Sequence, residues 1–334
     1  MSLRFHEIAE ANHRILNPFS TEKLDLLGTM LNFDKSARVL DLACGKGEML
    51  ARWAQAYGIR GVGVDISEVF IQAAQTRAYM MDVGDKLNFV VSDAADYPEP
   101  HHEFDVVACI GATWIGGGLA GTLDLMRKAL KPGGGLLIVG EVYWHQTPSS
   151  EVAALLDIEP DTFATLGGTL DRFKAQEMEL VEMILADHND FDRYESSQWM
   201  SVHQYLKDNR TDPEAHALRQ WIDKNRTTYL HHGRQVMGWG VFVLHVPPTA
   251  VDFSATVPIE AMNPNTPISF EVTAEMLWVR LADGRVIGNP IGWYEWLANA
   301  PAHLQEQAEL DPIGIAWPSL EGQIRIRDML EGRR

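Results

Sequence analysis

The 334-residue chain carries 28 basic and 46 acidic residues, a net charge of −18. That balance disfavours a nucleic-acid partner, which needs Lys and Arg to neutralise its phosphates. A 46% hydrophobic and 22% charged content suits a soluble globular protein, and two cysteines without zinc-like spacing indicate neither a disulfide framework nor a structural metal.

The length suits one large domain, or one with a small companion. With no charged-then-apolar leader in Met1-Ser-Leu-Arg-Phe-His-Glu7 and no apolar run near the ~20 residues that span a bilayer, a cytoplasmic protein without membrane contact is expected.

In chain order, residues 5–33 read as helical, broken at Asn17-Pro18, with Ser20-Thr-Glu-Lys23 opening the second helix. Strands are predicted at 38–42, 61–65, 87–92, 104–110 and 135–141, with helices starting near Gly47, Ser67 and Gly118. Ser67-Glu68 sets an N-cap beside an acid in the first turn, which favours the helix dipole. Short apolar strands alternating with helices predict a parallel, doubly wound sheet.

Beyond Glu141, helices at 149–157 and 167–177 lead to a sixth strand at 179–186. Residues 191–231 are helical and aromatic-rich, and 238–245 form a seventh strand. This insertion and the N-terminal helices make a candidate lid. Residues 247–263 read as a Pro-rich linker, and 264–334 as a small α+β domain of six basic and ten acidic residues. In that domain Ala282-Asp-Gly284 joins a hairpin, helices are expected at 293–298 and 301–309, and strand-like segments at 314–318 and 323–327. So small a domain has a limited core, which leaves room for self-association or a protein contact.

The chemistry concentrates where the strands end. Val39-Leu-Asp-Leu-Ala-Cys-Gly-Lys-Gly-Glu48 is an apolar strand closing on an acid and a glycine loop; Asp65 ends the second strand and Asp93 the third. Ligands of an open parallel sheet bind outside the carboxyl ends of its strands, so these acids face one crevice. A dinucleotide site would show G-x-G-x-x-G. Here the third glycine is missing and Glu48 opens the helix, where a pyrophosphate would meet like charge. Both points argue against a nicotinamide-dependent oxidoreductase. They favour a phosphate-free ligand with an amine and a ribose, a description that S-adenosylmethionine fits.

With the Leu130-Lys-Pro-Gly-Gly134 turn, these motifs resemble the class I S-adenosylmethionine-dependent methyltransferases over residues 1–246. Ala112-Thr-Trp-Ile115, Glu141-Val-Tyr-Trp144 and Gly238-Trp-Gly240 resemble poorly characterised bacterial members. The resemblance implies an α/β fold with a seven-stranded, mostly parallel Rossmann-like sheet, S-adenosylmethionine as cofactor and S-adenosylhomocysteine as product. It places Asp41, Ala43, Gly45 and Gly47 at the amino-acid end of the cofactor, Asp65 on the ribose, and Ile66, Asp93 and Ala94 on the adenine. Ile110 and Gly111 fall beside the methionine portion. Ala43 stands where the family usually has glycine. Residues 264–330, through Leu281-Ala-Asp-Gly284 and Gly314-Ile-Ala-Trp-Pro318, resemble short bacterial proteins of unknown function.

The residues after strands four and five are expected to ring the transferred methyl. Glu141, ending a buried strand, is the first candidate for a general base, and His145 the second. Thr113, Trp114, Tyr143 and Trp144 are expected in the acceptor pocket. No metal is expected: in His101-His102 and His231-His232 adjacent side chains diverge. Cys44 and Cys109 read as small core hydrophobes. The acceptor is expected to be a small molecule. A regulator that binds the cofactor and contacts a partner protein through its C-terminal domain is the alternative.

Overall fold

The computed structural model describes residues 2–97, 103–131, 134–159, 161–247, 264–305, 307–311, 313–320 and 322–332. His101-His102, Pro132-Gly133 of the turn and all of the linker but Pro247 lie outside the described residues. The chain divides into two compact units, Met1–Val251 and Asp252–Arg334.

The first unit is built on a seven-stranded sheet, β1 (Arg38–Leu42), β2 (Arg60–Asp65), β3 (Leu87–Val91), β4 (Val106–Ile110), β5 (Gly135–Trp144), β6 (Glu179–Leu185) and β7 (Met237–Val246), in the order β3-β2-β1-β4-β5-β7-β6. The first five strands pair in parallel, and β7 runs antiparallel to both β5 and β6. This is the expected Rossmann-like sheet. Chain order reverses about β1, which opens the crevice between β1 and β4. Period-2 alternation along the buried strands divides the core. Val39 packs with Leu50, Trp53, Ile71 and Phe89 on one face, and Leu40 and Leu42 with Leu123, Met126, Phe173 and Phe242 on the other.

Helices α1 (Leu3–Ala9), α2 (Thr21–Leu31), α3 (Glu48–Tyr57), α4 (Glu68–Met80), α5 (Leu119–Arg127), α6 (Ser150–Leu156), α7 (Leu166–Ala175), α8 (His188–Asp208), α9 (Ala215–Thr228) and α10 (Arg234–Val236) surround it. Ser20 and Ser67 cap α2 and α4 by accepting from Lys23 N at 3.3 Å and Phe70 N at 3.1 Å. A separate apolar cluster packs Phe5 and Ala9 of α1 against Val202, Leu218 and Ile222 of the α8–α9 insertion. Arg4 fastens this join, donating to Tyr205 Oη at 2.9 Å and Glu214 Oε2 at 2.6 Å and pairing with Asp212.

Two departures from the expected elements matter for the site. The helical break near Asn17-Pro18 is far wider, since nothing between Ala9 and Thr21 is helical. Tertiary bonds take over there: Lys46 Nζ donates to the carbonyls of Glu10, Ala11 and His13 at 2.7, 3.0 and 2.8 Å, and Asn17 Nδ2 to Ile110 O at 3.1 Å. Strand β5 also runs three residues beyond Glu141, because β7 pairs with it as far as Trp144↔Met237.

In the second unit, strands β8 (Pro267–Val272), β9 (Met276–Leu281) and β10 (Val286–Pro290) form one antiparallel sheet, and β11 (Glu309–Asp311), β12 (Gly314–Trp317) and β13 (Gly322–Arg325) another. Short helices α11 (Glu295–Ala298), α12 (Ala302–Gln305) and α13 (Ile326–Leu330) complete it over a core that includes Leu277, Val279, Leu281, Leu297, Ile315 and Trp317. The hairpin turn falls at Ala282-Asp-Gly284, with Gly284 at φ +86°. Strand β8 was not anticipated. The helix expected over 301–309 stops at Gln305, whose carbonyl accepts from Trp317 Nε1 at 2.8 Å, and residues 309–311 pair with β12 instead.

Replacing Lys46 by Met keeps the apolar stem and removes three charge-assisted donors. The variant is expected to lose about 1–3 kcal/mol. Amide exchange in residues 10–19 should accelerate while β1 stays protected, and unchanged protection would show that Lys46 does not hold the segment.

Candidate functional site

Strands β1, β2 and β4 deliver their C-terminal ends to the crevice, and the loop after β1 is wound tightly between them. Ala43, Gly45 and Gly47 all sit in the left-handed region, at φ +61°, +53° and +67°. Cys44 N donates to Val64 O at 2.9 Å, and Gly45 N to Asp65 Oδ2 at 2.8 Å. The other oxygen of Asp65 accepts from Ser67 N at 2.9 Å. Asp65 therefore joins the β1 loop to the start of α4 while each of its oxygens keeps a lone pair. Burial raises its pKa in spite of these two donors. Asp41 is also buried, its carboxyl has no hydrogen-bond partner among the described residues, and burial and the charge of Asp65 raise it well above the carboxylate range.

A cavity of about 930 Å³ lies over this crevice. Asp41, Ala43, Gly45, Asp65, Ile66, Asp93, Ala94, Ile110 and Gly111 share its wall, so nine of the ten residues expected at a cofactor come together in one space. Asp93 accepts from Ala95 N at 2.9 Å and so sets the turn after β3. Ile66 is 58% exposed, an apolar side chain left uncovered beside Asp65. Gly47 is the exception. It heads α3, and a Cβ there would meet Phe89 at 2.7 Å and Ala74 at 2.8 Å, so its missing side chain serves helix-to-sheet packing.

The charge at Glu48 also needs correction. Its buried carboxylate accepts from Arg77 at 2.7 and 2.9 Å and from Arg52 at 2.8 Å, which holds its pKa down. The helix entry does not present a bare negative charge to a ligand; the uncompensated acid in the wall is Asp41.

Of the residues expected around the acceptor, Trp114 lines the cavity and is 73% exposed. Thr113, Tyr143, Trp144, Glu141 and His145 do not line it. The added length of β5 is the reason, since it turns residues 141–144 from a loop into strand interior. Tyr143 is buried in the core face of Phe173 and Phe242, and Trp144 packs edge-on against Phe163 at 5.5 Å. His145 stands edge-on to Tyr143 at 5.2 Å, and burial with neighbouring His188 lowers its pKa. Glu141 is 4% exposed, accepts from Val142 N at 2.9 Å, and takes a hydrogen bond from Thr113, which begins the 3-10 turn Thr113–Gly116. It thus supports the turn that carries Trp114 and Ile115 into the wall.

The rest of the wall comes from segments that had been assigned only collectively to a lid. Leu3 and His6 of α1 and its N-cap Ser2 share the cavity wall with Ile66 and Phe70, and Ser67 Oγ donates to Glu7 at 2.6 Å. Residues 14–19 close the side over the β1 loop, where Leu16 lies against Gly45 and Asn17 against Gly111. A Cβ on either glycine would meet these neighbours at 2.1 and 2.0 Å. Phe191, Tyr194 and Gln198 of α8, Trp221 and Asn225 of α9, and Trp239 complete the enclosure. Behind them the fully buried Glu10 accepts from Tyr194 Oη at 2.8 Å and Gln198 Nε2 at 2.9 Å, with His13 Nδ1 at 2.6 Å. Among the described residues no group of three or more His, Cys, Asp and Glu could hold a metal, and no helix is long and apolar enough to cross a membrane.

Two side chains give measurable consequences. Ala43 pays for a left-handed backbone that glycine adopts freely, so Ala43→Gly is expected to gain about 1 kcal/mol in denaturant unfolding. Burial pushes Glu141 up to about 7, against about 4.3 in an unfolded chain. The folded state then binds the extra proton between those values, and its stability falls as pH rises through that window. Glu141→Gln removes this dependence. Its stability relative to the parent should improve by about 3 kcal/mol between pH 4 and pH 8, and parallel pH profiles would refute the assignment.

A model of the methyltransferase domain matches residues 39–134, and one for a protein of unknown function (DUF2442) matches residues 267–334. The uncharacterized protein YjhP of Escherichia coli strain K12 is 40% identical over 243 residues, covering 72% of this chain and 97% of that protein. The crystal structure of a SAM-dependent methyltransferase from Geobacter sulfurreducens in complex with S-adenosyl-L-homocysteine matches at a TM-score of 0.70 and 40% identity, covering 74% of this chain and 98% of that one. The 27-O-demethylrifamycin SV methyltransferase of Amycolatopsis mediterranei strain S699 is 33% identical over 123 residues, 37% of this chain and 45% of that protein. With its acid-ended crevice and its strand order, the chain belongs to the class I S-adenosylmethionine-dependent methyltransferases, fused to a C-terminal domain of the DUF2442 type.

Proposed function

We propose that the chain transfers the methyl group of S-adenosylmethionine to a small, largely apolar, ring-bearing acceptor held beneath the aromatic cap. The observation that carries this reading is the continuity of one cavity. Its floor is the acid-ended crevice, and its other walls include Phe19, Trp114, Phe191, Tyr194, Trp221 and Trp239. Such a wall suits an apolar ring and also a cationic sulfonium. The chain's net charge of −18 weighs against a nucleic-acid acceptor, and the Amycolatopsis relative is named for methylation of 27-O-demethylrifamycin SV.

The residues fit the cofactor. Asp41 is a buried carboxyl short of donors, Asp65 keeps a lone pair on each oxygen, and both stand on the wall of one cavity with the β1 loop. Asp41, Ala43 and Gly45 would hold the amino-acid end, Asp65 the ribose hydroxyls, Ile66, Asp93 and Ala94 the adenine, and Ile110 and Gly111 the methionine arm. When bound, the cofactor supplies a methyl group already activated by its sulfonium. The chain's own part is to bind and orient both reactants and to keep water out. α1, residues 14–19 and the α8–α9 insertion serve that exclusion. Glu141 acts in this reading by holding the Trp114 turn, not by taking a proton from the acceptor.

Calorimetric titration with S-adenosylhomocysteine tests the cofactor half. Saturable binding is expected, weakened in a folded Asp65→Ala variant by about 1–3 kcal/mol through lost buried hydrogen bonds. Label transfer from S-adenosylmethionine to a panel of phenols, quinols and aryl amines tests the acceptor half. Label found only in polypeptide or nucleic acid would sink the small-molecule reading.

A further inference from the structure

We infer that Arg14 is the carboxylate-binding residue for the amino-acid end of the cofactor, carried to that position by the stapled segment between α1 and α2. The inference rests on the placement of that end at Asp41 and Gly45.

The wall of the cavity is rich in acids and poor in bases. Four acids line the cavity, Asp41, Glu48, Asp65 and Asp93, and among its described lining residues Arg14 is the sole lysine or arginine. Glu48 is neutralised by Arg52 and Arg77 and Asp65 is engaged by two backbone N–H groups, while Asp41 has no donor among the described residues. The amino-acid end of the cofactor is a zwitterion. Its ammonium would supply the donor that the buried Asp41 carboxyl lacks among the described residues, and its carboxylate needs a cation from the same wall.

Arg14 is available for that role. Among the described residues it has no ion pair, whereas Arg4, Arg38, Arg52, Arg77 and Arg234 all have one. Glu10, four residues away, is engaged instead by Tyr194, Gln198 and His13. A guanidinium offers a planar fork that matches a carboxylate with two parallel hydrogen bonds.

The backbone around Arg14 is held where such a contact is needed. Lys46, inside the β1 loop, grips the carbonyls of Glu10, Ala11 and His13 on one side of it. On the other side Leu16 lies against Gly45, and Asn17 is bonded to the carbonyl of Ile110 at the end of β4. Arg14 is thus bracketed by anchors to the two segments assigned to the methionine portion. Its side chain is exposed and lines the cavity, so it is not there as core packing.

The test is calorimetry on the full chain with two probes, S-adenosylhomocysteine and its decarboxylated analogue, which keeps the adenosine and the ammonium. The parent should prefer the carboxylated probe by at least about 10-fold, the scale of a charge-assisted hydrogen bond. Arg14→Gln should lose that preference by weakening S-adenosylhomocysteine alone, and Arg14→Lys should restore part of it. A preference that survives in Arg14→Gln overturns the assignment. An equal loss for both probes also overturns it, since Arg14 would then only shape the segment. Failure of the parent to bind S-adenosylhomocysteine would instead bring down the placement of the cofactor, and this assignment with it.

Discussion

The site depends on one buried carboxylate. Asp65 ends β2 and takes the N–H of Gly45 from the adjacent loop and that of Ser67 from its own turn. The first bond holds the β1 loop in its run of left-handed residues, and the second fixes the N-cap of α4. Burial pushes the Asp65 carboxyl up, and the two backbone bonds act against that rise while leaving a lone pair on each oxygen. The β1 loop and the start of α4 are therefore coupled through a single side chain.

Much of this was legible in the sequence because it is local. Apolar runs ending in Asp41, Asp65 and Asp93 at α/β intervals set both the strand positions and the convergence of their ends, and Ser20 and Ser67 mark helix starts by their own hydrogen-bonding chemistry. What escaped reading depends on partners distant in sequence. Nothing in Glu141-Val-Tyr-Trp144 reveals that Met237–Gly240 will extend β5 and bury its aromatics. Glu48 reads as a charge at a helix entry, and only the fold brings Arg77 onto it. The segment around Asn17 has no periodic pattern, since its bonds go to Lys46 and Ile110 instead of to itself.

The electrostatics work on two scales that should not be confused. The net charge of −18 governs which macromolecules approach the surface and says little about the cavity. In its wall each acid has its own arrangement: two arginines for Glu48, two backbone amides for Asp65, one for Asp93, and no donor among the described residues for the Asp41 carboxyl. That last vacancy gives the floor its polarity.

The roof over the crevice has a cost in the order of folding. It joins α1 to the α8–α9 insertion through contacts such as Arg4 with Glu214, 210 residues apart, and Glu10 with Tyr194, 184 apart. Closing loops of that length carries an entropy that nearby contacts cannot offset, so these bonds form after the sheet has brought their ends together. The sheet and its β1 loop are thus assembled while the crevice still lies open to water, and enclosure is the final act of the domain's maturation. Such late contacts are also the first to part in a local unfolding event. Opening of the roof in the native domain is then expected to retrace the last step of its folding.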